Sequence, residues 1–220
     1  MKLFFHFCPS GFSNCYLLGT DFPPAENEQT EASLTKEAAP PREAIIIDPG
    51  NMDSSVIGLI ENNDYTLRAV FITHDHPHHV RGLKTIMKIY DTEIFAINPA
   101  IMEYRTTLVK DGDIIDIGSF RTEVISIPGH SADSAIYKIE RLLFTGDTLT
   151  AGLVGSTASN YASATQASAL RKKLLSLPGD YTVLPGHGPP SSLEAERRFN
   201  LGLNPPQRQQ DRRPAFRVDF

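Results

Sequence analysis

The chain has no tryptophan, only two cysteines, and no long apolar run. Each scarcity excludes something. Nothing approaches the ~20 consecutive apolar residues of a membrane-spanning helix, so no membrane association is expected. Cys8 and Cys15 flank the turn-forming Pro9-Ser10-Gly11 and belong to no Cys-x-x-Cys pair, so neither is expected on a metal. The opening Met1-Lys2-Leu3-Phe4-Phe5-His6-Phe7 is too short for a signal-peptide core. A cytoplasmic location with two reduced, buried thiols is therefore expected. Basic residues do not dominate either. With 21 Lys and Arg against 26 Asp and Glu the formal charge is −5, so no global field draws the protein to nucleic acid. The 220 residues suffice for one well-buried domain.

Histidine is what the chain does have, and its placement is not random. Six of the seven fall in three clusters, each after a run that reads as a strand. Ala69-Val70-Phe71-Ile72 precedes Thr73-His74-Asp75-His76-Pro77-His78-His79, Val124-Ile125-Ser126-Ile127 precedes Pro128-Gly129-His130-Ser131, and Tyr181-Thr182-Val183-Leu184 precedes Pro185-Gly186-His187-Gly188. Between the last two, Phe144-Thr145-Gly146-Asp147 also ends an apolar run. Imidazole is the commonest ligand for zinc-like metals, and strand ends at one rim of a sheet can converge on a point. The pattern reads as a two-metal site on a layered α/β scaffold. Two metals about 3.5–4 Å apart need a shared ligand, a role for which the Asp147 carboxylate is suited and an imidazole is not. His6, inside an apolar run, reads as structural, and Asp48 as a turn residue tied to the metal-loop backbone.

The remaining elements alternate. Strands are expected at 3–7, 14–19, 44–47, 68–72, 93–97, 114–117, 122–127, 135–139, 142–144 and 181–184. Helices are expected at 55–62, 80–90, 163–176 and 191–199, with Asp53 or Ser54 capping the first and Ser191 or Ser192 the last. Residues 21–42, rich in Pro, Glu, Ala and Thr, read as an exposed insertion in a hairpin. The expected domain is 1–202, followed by a polar tail over 203–220.

The ordered series Thr-His-x-His-x-x-His, Gly-His-Ser, Thr-Gly-Asp-Thr and Pro-Gly-His-Gly-Pro resembles the metallo-β-lactamase superfamily, and within it the short glyoxalase II-like hydrolases. Asn14-Cys15-Tyr16-Leu17, Ile47-Asp48-Pro49-Gly50 and the run from Gly186 to Ser192 match as well, and the resemblance covers about residues 3–200. It implies a four-layer αββα sandwich. It also implies His74, His76 and His130 on a first metal, His79 and His187 on a second, and Asp147 bridging, with zinc expected at two per chain and iron or manganese as alternatives. His74, His76, His79 and Asp147 would then be catalytic. A small-molecule ester, thioester or lactone would be hydrolysed by hydroxide held between the metals.

Two departures stand out. His78 occupies the position where the family has an aspartate on the second metal, so it is a candidate ligand of altered character. After Asp147 the chain has Gly155-Ser156-Thr157-Ala158-Ser159-Asn160-Tyr161 where relatives often carry Gly-Arg-Thr-Asp. Tyr161 is read as a core or surface residue, and Arg197 and Arg198 as lying on a solvated helix face, rather than as pocket residues. No counterpart of the glutathione-binding C-terminal domain of the long glyoxalase II enzymes is expected in this length. Two other functions remain in view: a mono-iron oxidoreductase of the persulfide dioxygenase type, and a non-catalytic binding protein with an altered second metal site.

Overall fold

Alternating side chains divide the β-strands into two faces, and both faces are apolar in most of them, so each sheet must be covered twice. The computed structural model, which describes residues 1–20 and 42–204, meets this demand with two sheets stacked between helices. The first sheet contains β1 (Lys2–Cys8), β2 (Ser13–Gly19), β3 (Glu43–Ile47), β4 (Thr66–Phe71) and β5 (Glu93–Ala96). After a short hairpin of β6 (Ala100–Ile101) and β7 (Tyr104–Arg105) it ends on β8 (Thr107–Leu108), in the spatial order 1-2-3-4-5-8. The second sheet contains β9 (Ile114–Ile117), β10 (Phe120–Ser126), β11 (Ala135–Ile139) and β12 (Leu142–Gly146). The hairpin β13 (Leu149–Thr150) and β14 (Leu153–Val154) follows, then β15 (Thr182–Pro185) and β16 (Ser191–Ser192), giving the order 16-15-12-11-10-9.

Three apolar clusters glue four layers. Between the sheets lie Tyr16, Leu18, Ile45, Ile47, Phe71 and Phe95 from one side and Val124, Tyr137, Ile139 and Phe144 from the other. The alternate residues Leu17, Ile46 and Val70 face outward onto α1 (Ser54–Glu61) and α3 (Leu83–Ile89) through Val56, Ile60, Leu83 and Ile86. On the far side Ile125, Ile136, Leu143 and Val183 pack on Leu170, Leu174 and Leu193. Leu170 and Leu174 lie in the π-helical continuation (Leu170–Leu174) of α4 (Asn160–Ala169), and Leu193 opens α5 (Leu193–Phe199). The architecture is the expected αββα sandwich. Among the described residues no helix is long and apolar enough to cross a membrane.

Local expectations hold in kind and shift in detail. Asp53 caps α1 by accepting from Ser55 N at 2.9 Å and Val56 N at 3.2 Å, and Ser192 caps α5 by accepting from Ala195 N at 3.2 Å. The helix expected over 80–90 is interrupted: α2 (Pro77–Val80) carries His78 and His79, and Gly82 separates it from α3. A Cβ at Gly82 would lie 2.4 Å from Pro49 O, so the break lets the helix pass the turn after β3. Helix α4 starts at Asn160, three residues early, because Ser159 accepts from Ala162 N at 3.1 Å and caps it there. Cys8 and Cys15 are buried and unpaired with each other. Leu203, placed in the tail by the sequence, is 3% exposed and packs in the third cluster, so the packed domain runs at least one residue beyond 202. The 21–42 insertion, apart from Arg42, and the tail from 205 onward lie outside the described residues.

Candidate metal centre

All three histidine clusters and Asp147 meet at one rim of the sandwich. Strand β4 delivers His74 and His76, α2 delivers His79, the turn after β10 delivers His130, the end of β12 delivers Asp147, and the end of β15 delivers His187. Donor atoms of His74, His76, His130 and Asp147 fall within 4.8 Å of one another, as do those of His79, Asp147 and His187. Asp147 is common to both groups. Its Oδ2 lies 3.8 Å from His74 Nε2, 3.7 Å from His130 Nε2 and 3.4 Å from His79 Nε2, and its Oδ1 lies 2.7 Å from His187 Nδ1.

The outer ring nitrogens fix how the inner ones are presented. Thr73 Oγ1 donates to Asp48 Oδ2 at 2.6 Å, so it can only accept from His74 Nδ1, 3.0 Å away. That assigns the proton to Nδ1 and leaves the lone pair of Nε2 turned toward Asp147. His130 Nδ1 lies 2.8 Å from the Ser156 carbonyl and His187 Nε2 lies 3.1 Å from the Gly11 carbonyl, so both must donate there, which turns His130 Nε2 and His187 Nδ1 inward toward Asp147. His79 Nδ1 faces Asp48 Oδ2 at 3.1 Å. Oriented imidazoles of this kind, each with its outer nitrogen toward a hydroxyl, carbonyl or carboxylate, are what metal ligation requires.

The buried nitrogens test whether a metal fits. His74 Nε2 is buried without a hydrogen-bond partner, and the His79 ring nitrogens are buried 3.1 Å from Asp48 and 3.4 Å from Asp147 without an aligned hydrogen bond, which costs free energy unless something else engages them. His76 Nδ1 and His130 Nε2 lie only 3.2 Å apart. Five imidazoles gathered around one carboxylate suit borderline divalent cations such as zinc or iron.

Electrostatics says the same. Burial, reinforced by the nearby His79, lowers the His74 imidazole to about 3 and keeps it neutral. Burial also lowers His79, but the Asp48 and Asp147 carboxylates on either side outweigh it and raise that ring to about 10. For Asp147 burial acts upward and is overcome by the bond to His187 and the nearby His79 ring, which hold its carboxyl well below the usual range. The bond to Asp147 raises His187 in turn. The centre thus carries an ionised carboxylate among imidazoles that share its charge.

Two glycines make the convergence sterically feasible. Gly146 has φ +50°, and a Cβ there would sit 2.4 Å from Thr73 Oγ1. A Cβ at Gly186 would sit 2.5 Å from Asp147 Oδ1 and 2.6 Å from His79 Cε1, between two members of one donor group. Gly186→Ala is therefore expected to lose the second metal equivalent and to cost about 1–3 kcal/mol of stability. Elemental analysis and urea unfolding measure the two effects, and an unchanged second equivalent would show that the methyl is accommodated.

His78 stands apart. It is exposed, belongs to neither donor group around Asp147, and packs its ring on Gly11, whose Cβ position would be 2.7 Å from His78 Cγ. Its ring centroid is 6.1 Å from that of His187. The helix α2 explains this: consecutive residues His78 and His79 diverge by about 100°, and His79 takes the inward direction.

Most other residues fall where the sequence put them, whereas Arg197, expected on a solvated helix face, is half-buried against backbone carbonyls. Asp48 is buried and accepts from Thr73 N at 2.8 Å, tying its turn to the His74 loop as expected, and it also faces His79. His6 lies 3.2 Å from Asp53, outside the donor groups. Tyr161 is 83% exposed. Arg198 pairs with Glu194, while Arg197 donates to the carbonyls of Leu175, Leu177 and Gly179 and closes the turn after the π-helix. Asn14 had no assigned role: its side chain donates to Pro185 O at 2.9 Å and Gly188 O at 2.7 Å, clamping the His187 loop. Such a clamp leaves no spacing signal, because its partners lie about 170 residues away.

The profile of the metallo-β-lactamase superfamily matches residues 37–187, which is most of the chain. The chain belongs to the metallo-β-lactamase superfamily. It is 34% identical over 148 residues to a hydroxyacylglutathione hydrolase of Francisella tularensis subsp. tularensis, covering 66% of this chain and 58% of that enzyme. It is 28% identical over 197 residues to an uncharacterized protein of Mycobacterium tuberculosis, covering 73% of this chain and 87% of that one. Among solved structures it resembles ETHE1 from Myxococcus xanthus, with a TM-score of 0.74 and 25% identity over 91% of this chain and 83% of the other. It also shares the fold of the BLEG-1 B3 metallo-β-lactamase, with a TM-score of 0.72 and 22% identity over 92% of this chain and 100% of that one.

Proposed function

We propose that the protein is a metal-dependent hydrolase of a small ester, thioester or lactone. The observation that carries this reading is the Asp147 carboxylate shared by two donor groups, with His74, His76 and His130 on one side and His79 and His187 on the other. These residues would hold two metal ions, zinc or iron being the best matches to the donors. When bound, the metals supply Lewis acidity toward a carbonyl oxygen and make water nucleophilic near neutral pH.

The chain's own residues do the positioning. Asp147 holds the two groups together and supplies their shared negative charge. Asp48, Thr73 and the carbonyls of Ser156 and Gly11 fix the ring orientations, so little reorganisation remains when substrate arrives. His76 and His78 lie on the exposed rim, and a substrate carbonyl would enter from that side. The likeness to a hydroxyacylglutathione hydrolase supports a thioester, though the match spans 58% of that enzyme.

The resemblance to ETHE1 and the three-histidine group favour one second reading, a mono-iron oxidoreductase using His74, His76 and His130. The convergence of His79 and His187 on Asp147 argues for the hydrolase. A panel of thioesters, lactones and phosphoesters, run beside oxygen uptake with a persulfide, separates the two. Hydrolysis without oxygen uptake is expected, and the reverse result would replace the hydrolase by the oxidoreductase.

His78→Ala supplies a further check. Because His78 is outside both donor groups, the variant is expected to keep the wild-type metal stoichiometry in elemental analysis. Loss of one equivalent would make His78 a ligand after all.

A further inference from the structure

Four carboxylates are buried among the described residues: Glu43, Asp48, Asp133 and Glu196. A buried carboxylate is costly unless its oxygens are well engaged, so each should have a structural or chemical job. Asp48 serves His79. Glu196 accepts from Gly152 N at 3.0 Å and Ser191 Oγ at 2.6 Å and holds the segment after Asp147. Glu43 accepts from Ser119 N at 3.2 Å, between the sheets. Asp133 has no role in the centre described so far.

Its partners single it out. Oδ2 accepts from Asp75 N at 2.9 Å, and Asp75 is the residue between His74 and His76. The same oxygen accepts from Asn98 Nδ2 at 2.9 Å, beyond the end of β5. Oδ1 accepts from Ser131 Oγ, the residue after His130. One side chain therefore links the tip of the His74–His76 loop to the tip of the His130 loop. The roots of the two loops are joined separately, by Ala135 N donating to Thr73 O at 2.8 Å. Between root and tip lie the two imidazole nitrogens of His76 and His130, 3.2 Å apart.

We propose that Asp133 is a positioning residue that fixes the spacing of the three-histidine group by holding the Asp75 amide and the Ser131 hydroxyl on one carboxylate. The inference rests on the reading of that group as a metal site. All three donors are neutral, so what Asp133 contributes is geometry, and an amide of the same shape can reproduce it. In Asp133→Asn the carbonyl oxygen can accept from Asp75 N and Asn98, and the amide nitrogen can donate to Ser131 Oγ. In Asp133→Ala the Asp75 amide loses its partner and the loop tips are released.

The test is zinc affinity, measured by competition with a chromophoric chelator, on wild type, Asp133→Ala and Asp133→Asn. Visible spectra of the cobalt(II)-loaded proteins report the site geometry. Asp133→Ala is expected to bind the first zinc about 10–100-fold more weakly, as for other residues that orient metal ligands, with an altered cobalt spectrum. Asp133→Asn should restore affinity to within about fivefold of wild type, the worth of one hydrogen bond. A residue that only stabilised the fold would lower the unfolding midpoint of metal-free protein and leave first-zinc affinity alone. If Asp133→Ala is insoluble, Ser131→Ala, which removes one of the three donors, should weaken the first zinc about fivefold. Wild-type affinity in Asp133→Ala, or in Ser131→Ala when that variant stands in, would overturn the proposal. So would an Asn variant as weak as the Ala variant. Wild-type protein that takes up no zinc would instead overturn the metal-site reading itself.

Discussion

Asp147→Ala is expected to abolish hydrolysis and to leave at most one metal equivalent bound. Asp147 is the only residue common to both donor groups, and both of its oxygens are engaged by imidazoles. Removing it deletes the anion that balances His79 and His187 and leaves, among the described residues, Asp48 facing His79. Two dications then lose their shared ligand and repel each other with less charge between them. Asp147→Asn keeps the shape and removes the charge, and is expected to fall almost as far. Loss of a preorganised electrostatic element of this kind costs on the order of 10²–10³ in rate. The measurements are kcat/KM on the best substrate of the hydrolysis panel and metal per chain for each variant. Retention of both in Asp147→Asn would show that the carboxylate is not the shared ligand.

Metal removal should have the second large effect, on stability. Folding buries His74 Nε2 and His79 Nε2 without an aligned hydrogen bond, a cost that a bound ion would offset. A ligand present at about 1,000 times its dissociation constant stabilises the native state by about 4 kcal/mol. For a chain of this size, each kcal/mol moves the unfolding midpoint by about 2–4 °C. Dialysis against a strong chelator should therefore lower Tm by about 8–16 °C, and restoring zinc or iron should bring it back. His74→Ala should show a smaller shift on chelation, because the share due to the first metal is already gone. An identical Tm with and without chelator would mean that the cluster tolerates its buried nitrogens unaided.

The candidate centre is legible in the sequence because its histidines and Asp147 come as short local motifs at strand ends. His74, His76, His79, His130, Asp147 and His187 each follow a run of apolar residues, and a glycine directly precedes His130, Asp147 and His187. The sandwich was legible for the same reason: Ile45-Ile46-Ile47 and Leu143-Phe144 are apolar on both faces, so each sheet needs cover on both sides. What supports the ligands was less legible. Asp133 reaches Asp75 and Asn98 across 58 and 35 residues, and Asn14 reaches Pro185 across 171, distances at which no spacing rule operates. The two-residue strands from 100 to 108 were missed because they are too short for an alternation to appear. His78 was open in the sequence, since a histidine in a cluster of ligands looks like a ligand, and only the direction of its side chain on α2 distinguishes it from His79.

The proposed hydrolysis requires metal bound by these residues. Elemental analysis of protein purified without added metal, beside His74→Ala and His79→Ala made the same way, tests it most directly. Wild type is expected to carry about one to two equivalents of zinc, iron or manganese per chain, with His74→Ala depleted of the first and His79→Ala of the second. A wild-type protein free of metal that still hydrolyses its substrate at full rate would contradict it.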